Sequence, residues 1–205
     1  MPVTQIHYEE VLVECSDHRG TLALLKQFRP YLEMIPSMRR PEESILTIPL
    51  PLIRQRLTHP TAIPMSPSSP APPSVSTTVT KMAQLPADLA ILMCDPEWRI
   101  KTGVEILVFI HRPQENFSEL LSRWRQTQIC LSEGYEWVMP KPQEHLFSDG
   151  SDEVHPLFVL FPETPDRLRR GMRGSGLPFV IQTVYAVDDE TGLTHGVLEG
   201  LETES

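Results

Sequence analysis

The residues of this chain whose types and spacing best suit binding chemistry form a short arginine- and glycine-rich segment, residues 167–176, which reads RLRRGMRGSG. Small residues let backbone amides approach a phosphate group, and arginine forks hold its oxygens. The segment predicts a phosphate or RNA contact made by Arg167, Arg169, Arg170, Arg173, Gly171, Gly174 and Gly176. No Lys-Ser or Lys-Thr pair follows it, which excludes a nucleotide-binding P-loop. The alternative is a solvated helix end, where glycine stops the helix and arginine suits the helix dipole.

A second candidate is the segment CSDHRG at residues 15–20. Its Cys-x-x-His pair is half of a metal site, but no second pair has matching spacing, so no metal is predicted. The surrounding 15 residues, VLVECSDHRGTLALL, resemble the first turn of ACT-type amino-acid-sensing domains, where a strand leads through Asp-x-x-Gly into a helix. The resemblance implies a small-ligand turn at Asp17, His18 and Gly20, although prolines at 36, 41, 49 and 51 depart from the family's pattern. A purely structural turn is the alternative.

Two sets of acidic residues keep a metal-dependent hydrolase or nuclease open as a further alternative. One set lies in the polar loop at 144–155, and the other combines Asp88 or Asp95 with Glu105. Carboxylates and imidazoles bind divalent cations. The loop has no regular ligand spacing, and Leu107 stands where a Glu-x-Lys arrangement needs lysine. Neither set therefore predicts a metal or any other cofactor.

No catalytic residue is predicted. The chain has no Gly-x-Ser-x-Gly elbow for a nucleophilic serine. Cys94 and Cys130 lie in apolar segments and suit the core. His111 falls at the end of a predicted strand, where a surface histidine fits better than an acid–base residue.

The elements that must position these candidates follow from apolar periodicity and turn residues. Strands are predicted at 5–14, 44–50, 88–94, 104–110, 129–138, 157–161 and 179–187. Helices are predicted after Asp17, from 117 and from 164, with a short helical turn at 53–57. From residue 104 the order is β-α-β-β-α-β, the ferredoxin-like arrangement. We expect an α+β fold whose C-terminal part holds a ferredoxin-like antiparallel or mixed sheet, with an N-terminal β-α-β segment packed on it.

An uncharged proline-rich tract divides the chain. Residues 59–80 contain six prolines and nine serines or threonines, and such a composition buries too little apolar surface to offset the entropy of ordering. We therefore expect a β-α-β segment at 1–58, a disordered linker or loop at 59–80, and an α+β domain with an acidic tail at 81–205. The small N-terminal segment makes a long excursion within one composite domain the favoured interpretation.

Net charge and composition limit the classes of function that the chain can have. The 205 residues carry a net charge of −9, and the last 18 hold six acidic and no basic side chains. Broad binding to nucleic acid or anionic membrane is therefore disfavoured. Three scattered cysteines, no recognisable signal peptide and no apolar run of membrane-spanning length predict a soluble cytoplasmic protein. The leading hypothesis is a non-enzymatic adaptor or regulatory protein that binds a protein partner or a second copy through exposed strand edges.

Overall fold

The computed structural model describes residues 3–32, 45–59, 77–94, 102–132, 134–139 and 153–182. Its helices are α1 (Gln5–Ser16), α2 (His18–Gln27), α3 (Arg29–Leu32), α4 (Phe117–Leu131) and α5 (Asp166–Ser175). Its strands are β1 (Ile45–Pro49), β2 (Leu52–His59), β3 (Thr77–Gln84), β4 (Leu89–Cys94), β5 (Thr102–Ile110), β6 (Tyr135–Trp137), β7 (Val154–Leu160) and β8 (Phe179–Ile181). The expected mixture of helices with a mixed sheet is confirmed.

A five-stranded sheet in the order β1-β4-β5-β7-β8 forms the centre of the fold. β1, β4 and β5 pair antiparallel, whereas β5, β7 and β8 pair parallel. Parallel neighbours need a crossover connection, and the crossovers contain α4 and α5. The ends of β5, β7 and β8 therefore meet at one edge of the sheet, which we call the carboxyl edge.

Both faces of the main sheet are covered. α1 and α2 pack on one face, where Val11 meets Ile106 in a buried cluster. α4 and α5 pack on the other face, where Trp124 lies against Phe109 with ring centroids 5.9 Å apart. Strands buried on both faces read as continuous apolar runs, which explains the sequences of β5 and β7.

The second sheet is small, with the order β3-β2-β6, and it joins the core on the α4 side through Ile53 and Trp137. Pairing of β2 with β3 places His59 opposite Thr77. The predicted limits of the proline-rich tract are therefore wrong at both ends, because His59 closes β2 and residues 77–80 open β3. The β-branched sequence TTVT suits a strand. The rest of the tract, 60–76, lies outside the described residues.

The predicted strand at 5–14 is wrong, because these residues belong to helix α1. The alternation that indicated a strand covers only residues 11–14. Tyr8, Val11, Leu12 and Cys15 instead recur at helical spacing and face the core. Thr4 caps the helix, since its Oγ1 accepts the amide of His7 at 3.3 Å. The expected N-terminal β-α-β unit is thus replaced by helices α1 to α3 followed by β1, which pairs with β4.

Two further element predictions are wrong. The helical turn expected at 53–57 is part of strand β2, whose partners β3 and β6 are distant in sequence. The strand expected at 129–138 begins instead as the end of α4, and only Tyr135–Trp137 is a strand. Predicted strands at 44–50, 88–94, 104–110 and 157–161 are confirmed as β1, β4, β5 and β7.

The order of elements from β5 to β8 is β-α-β-β-α-β, as predicted, but the pairing is not ferredoxin-like. That arrangement joins the four strands in one sheet, whereas β6 pairs with β2 in the small sheet. β8 extends the parallel set beside β7. The consequence for function is a carboxyl edge at which three parallel strands end together.

Candidate functional site

Charged and titratable side chains collect at the carboxyl edge. His111 and Arg112 follow β5, and Thr164 follows β7. Asp88 precedes β4, which runs antiparallel to β5, so it reaches the same edge. In open α/β sheets, ligands bind outside the carboxyl ends of the strands. The carboxyl edge is therefore the candidate location of a binding site.

Asp88 is the centre of the cluster and is completely buried. Its Oδ1 accepts the Tyr8 hydroxyl at 2.8 Å and Arg112 Nη2 at 2.7 Å. Its Oδ2 accepts the Ile110 amide at 2.7 Å and a hydrogen bond from Arg123 Nη2. A buried carboxylate is tolerated when it is paired and hydrogen-bonded in this way.

Arg123 connects α4 to the edge, with only 9% of its side chain exposed. Its Nε donates to the Pro86 carbonyl at 2.9 Å, and its Nη1 donates to the Ile110 carbonyl at 3.0 Å. The same Nη1 lies 3.4 Å from the Glu115 carboxylate. One guanidinium therefore ties together the start of β4, the end of β5 and helix α4.

Tyr8 and Arg112 close the cluster on the α1 side. The Arg112 guanidinium lies over the Tyr8 ring, 5.7 Å from its centroid. Burial and the negative charge of Asp88 raise the pKa of Tyr8 from 10.0 to about 12. The Arg112 side chain is 43% exposed, so the buried network reaches solvent through this residue.

His111 joins the loops that follow β5 and β7. Its Nε2 lies 3.0 Å from the Glu115 carbonyl oxygen, which only accepts, so we assign the ring proton to Nε2. Its Nδ1 lies 3.1 Å from Thr164 Oγ1, which accepts the Phe161 amide and donates its own proton to Nδ1. Burial lowers the pKa of His111. With both nitrogens engaged, the neutral ring positions the loops.

A pocket of about 760 Å³ opens beside this cluster. It lies between the loops after β5 and β7, and Val3 contributes to its wall from the α1 side. His111, Phe117, Pro165, Arg167 and Gly171 are among its lining residues. A volume of this size, with an apolar wall and a few polar groups, suits a small organic ligand.

The two helices that begin at the pocket differ at their N-termini. α4 has a capping box, in which the Asn116 side chain accepts the amides of Ser118 and Glu119 and the Glu119 carboxylate accepts the Asn116 amide. α5 begins after Pro165 without a side-chain cap. The start of α5 therefore presents the positive end of a helix dipole that no side chain of the cap position satisfies.

The arginine- and glycine-rich segment of the sequence is helix α5, and the structure divides its members. Arg167 and Gly171 line the pocket, and a Cβ on Gly171 would lie 3.0 Å from the Phe117 ring. Arg169 pairs with Asp166. Glycine at 171 thus allows α5 to pack closely against the first residue of α4.

The other members lie along the outer surface or at the far end of α5. Arg170 and Arg173 are exposed. Gly176 ends the helix in the left-handed conformation at φ 66°, and Gly174 is exposed two residues earlier. Backbone carbonyls, not amides, are left over at a helix C-terminus, so the predicted glycine contacts to phosphate have no support at Gly174 and Gly176.

The segment at 15–20 joins α1 to α2. Asp17 caps α2, its carboxylate accepting the Arg19 amide at 3.2 Å, and His18 is the exposed first residue of that helix. A Cβ on Gly20 would lie 1.9 Å from the Glu14 carbonyl oxygen, so only glycine fits. The strand implied by the ACT resemblance is helix α1. The small-ligand role of this turn stays a prediction, while its role as a tight helix junction is observed.

The predicted acidic sets do not converge among the described residues. Glu105 is completely buried and accepts hydrogen bonds from the Tyr135 hydroxyl and from Trp137 Nε1, the latter at 2.8 Å. In the register of β4 with β5, Asp88 lies beside Phe109. That position is four residues beyond Glu105, or roughly 13 Å away at strand spacing. Within the described ranges, no group of three His, Cys, Asp or Glu side chains is placed to hold a metal ion. Asp95 and residues 144–152 lie outside those ranges.

Sequence reasoning missed the Asp88 cluster, although one signal was present. Arg123 falls between Leu120 and Trp124 on the apolar face of α4, where an arginine needs a buried partner. The partner itself had no local signal, because Asp88 and Arg123 are brought together only by the packing of α4 beside β5.

Comparison with known proteins adds no family: no protein-family model, no curated protein and no solved structure matches this chain. In the part of the chain that the structure describes, every helix is too short or too polar to cross a membrane.

Proposed function

We propose that this protein binds a small phosphate-bearing molecule in the pocket at the carboxyl edge. The observation that carries the proposal is the meeting, at one pocket wall, of Arg167 with the uncapped start of α5. Backbone amides at a helix N-terminus and an arginine fork are a common pair of phosphate-binding groups.

The charges around the pocket support an anionic ligand. Glu115 lines the wall, but its carboxylate is held by Arg123. Asp166, at the start of α5, is held by Arg169. Arg167 is exposed and has no ion pair among the described residues. Glu115 and Asp166 are thus both compensated by arginine partners, and the Arg167 cation remains at the pocket.

The size of the pocket favours a small molecule over RNA. A volume of about 760 Å³ is that of a cavity for one organic ligand. The chain's net charge of −9 repels a polyanion at long range. A single phosphate group needs only local compensation. RNA contact through the outer arginines of α5 is therefore the weaker form of the phosphate hypothesis.

The test is thermal stabilisation of the full chain by inorganic phosphate, pyrophosphate, adenosine 5′-monophosphate (AMP) and adenosine. A ligand at about 100 times its Kd stabilises the fold by about 2.7 kcal/mol. We expect AMP to bind more tightly than adenosine, which lacks the phosphate. Arg167→Ala should weaken AMP binding about tenfold or more. Arg125→Ala is the matched control. It removes an exposed arginine of α4, so this variant has the same net charge as Arg167→Ala. Equal shifts with AMP and adenosine, no shift with any phosphate probe, or no effect of Arg167→Ala would reject the proposal.

A separate observation favours the hypothesis of a protein partner as the second candidate. Ile6 and Val13 lie two turns apart on α1 and are 64% and 72% exposed. Glu9 and Glu10 lie on the same exposed side of the helix. A second copy would place like charges opposite each other, so the fitting partner has apolar side chains flanked by lysine or arginine. The test is affinity capture from a native extract. The wild-type chain and the Ile6→Ser/Val13→Ser variant serve as baits, and the captured protein and RNA are both identified. A captured protein that is lost with the variant, and whose purified form binds only the wild-type chain, would support it; identical captures would oppose it.

A further inference from the structure

Helix α5 presents an arginine-rich surface to solvent. Arg167, Arg170 and Arg173 are exposed along it, and we call these three residues the arginine face. Leu168 and Met172 occupy the opposite side of the helix and are buried against the main sheet. The face thus extends over two turns of α5, about 9 Å at 1.5 Å per residue.

The last described strand, β8, fixes where the chain leaves the main sheet. β8 is parallel to β7, so it ends at the carboxyl edge, where α5 begins. Gln182 is anchored there: its amide donates to the Leu160 carbonyl at 2.8 Å, and its Oε1 accepts from Gln27 Nε2 at 3.1 Å. The residues that follow, 183–205, therefore start from a defined point beside α5.

Those following residues carry a charge opposite to that of the arginine face. They contain six acidic side chains and no lysine or arginine. Asp188 is six residues beyond Gln182, a reach of at most about 20 Å. That length matches one helix diameter of about 10 Å together with the roughly 9 Å of the arginine face. The acidic cluster at 188–190 can therefore contact the arginine face of the same molecule.

We propose that the acidic C-terminal segment, residues 188–204, binds in cis along the arginine face of α5. Single exposed ion pairs are weak and screened by salt. The contact consequently depends on several pairs at once and on ionic strength. Because Arg167 also lines the pocket, the bound segment competes with an anionic ligand; this last consequence rests on the proposed function, whereas the docking does not.

Zero-length carbodiimide coupling in the full chain tests the docking, because it joins lysine amines to carboxylates that touch them. Arg170→Lys introduces an amine into the arginine face. Arg19→Lys is the matched control, since Arg19 is exposed on α2, on the other face of the main sheet. We expect a cross-link between position 170 and an acid in 188–204, detected by mass spectrometry. It should be lost between about 0.01 M and about 1 M salt, where the Debye length falls from about 30 Å to about 3 Å.

Three results would overturn the docking: no such cross-link, an equal yield from Arg19→Lys, or no salt dependence. A mixture of ¹⁵N-labelled and unlabelled chains separates cis from trans contacts, and cross-links that mainly join labelled to unlabelled peptides would also overturn it. Exchange of the six acids for amides (Asp188→Asn, Asp189→Asn, Glu190→Gln, Glu199→Gln, Glu202→Gln and Glu204→Gln) should lower the Kd for AMP several-fold at low salt. A cross-link without AMP binding would reject the pocket proposal and support the docking. AMP binding without a cross-link would reject the docking and support the pocket proposal.

Discussion

Two buried carboxylates mark opposite ends of the same sheet, and their surroundings differ. Asp88, at the carboxyl edge, contacts the guanidinium groups of Arg112 and Arg123. Glu105, toward the start of β5, accepts from the neutral donors Tyr135 and Trp137 of β6. Both side chains are completely buried. Burial alone therefore does not distinguish a site from a structural joint.

The difference teaches where ligand chemistry lies in this molecule. The hydrogen bonds from Tyr135 and Trp137 of β6 to Glu105 of β5 fasten the small sheet to the main sheet. The cations around Asp88 extend to a partly exposed arginine and to the wall of the pocket. Charge that reaches the surface beside a pocket is available to a ligand.

The largest expected effect follows from Asp88→Asn. The substitution keeps the size of the side chain but removes the negative charge closest to the buried Arg123 guanidinium, which then keeps only the Glu115 carboxylate, 3.4 Å away. Breaking a buried pair in this way costs about 3–5 kcal/mol. Urea denaturation of the purified protein measures the loss. Arg112→Ala is the control, and because the Arg112 side chain is 43% exposed it should cost less than Asp88→Asn. Similar losses in the two variants would refute the view that Arg123 is the main charge partner.

A smaller effect is expected from Glu105→Gln. Glutamine keeps an oxygen that can accept the Trp137 indole hydrogen, so only part of the hydrogen bonding is lost. We expect about 1–2 kcal/mol by the same denaturation. Glu105→Leu, which removes the acceptor that Tyr135 and Trp137 share, should cost more than Glu105→Gln. If Glu105→Gln destabilised the fold as much as Asp88→Asn, the contrast between the two carboxylates would fail.

The smallest expected effect is a pH dependence from His111. Burial lowers its pKa in the fold, so the unfolded chain binds the proton more readily. Stability should therefore fall as pH drops through about 6.5, the unfolded value, and should continue to fall until the lower folded pKa is passed. Denaturation between pH 8 and pH 5 measures the slope. His111→Gln should reduce the slope without removing it, because burial also lowers the pKa of His155. An unchanged slope in His111→Gln would exclude His111 as a source.

At the alkaline end the sign is reversed. Tyr8 has its pKa raised to about 12, so the fold retains a proton that the unfolded chain loses above about 10. Stability should fall between those two values, and Tyr8→Phe should reduce that fall. A Tyr8→Phe variant with the same alkaline slope as the wild type would separate Tyr8 from the Asp88 cluster.

The elements predicted from the sequence held where periodicity was long and unambiguous. β5 and β7 are apolar runs, and α4 has Leu120 and Trp124 at helical spacing. The sequence therefore predicts these three elements correctly. The strand predicted at 5–14 failed because a four-residue alternation outweighed the helical spacing of Tyr8, Val11 and Cys15. β2 was missed because its partners lie across the proline-rich tract and after α4.

The site was predicted only in part. Arginine and glycine in one short segment drew attention to α5, and Arg167 and Gly171 do line the pocket. The sequence does not show which of these residues share a side, because a helix turns its residues to different sides. Gly174 and Gly176 therefore lie away from Arg167, and the pocket depends also on His111 and on the start of α4.

The sequence by itself determined the mixture of helices and strands, the buried strands of the main sheet and the separation of an acidic end from a charge-balanced beginning. These properties follow from local composition and spacing. Only the tertiary structure decided which strands are parallel, and hence that Asp88, His111 and Arg112 share one edge with the start of α5. Strand pairing and the meeting of Asp88 with Arg123 are non-local, because they depend on packing between segments that the sequence places far apart.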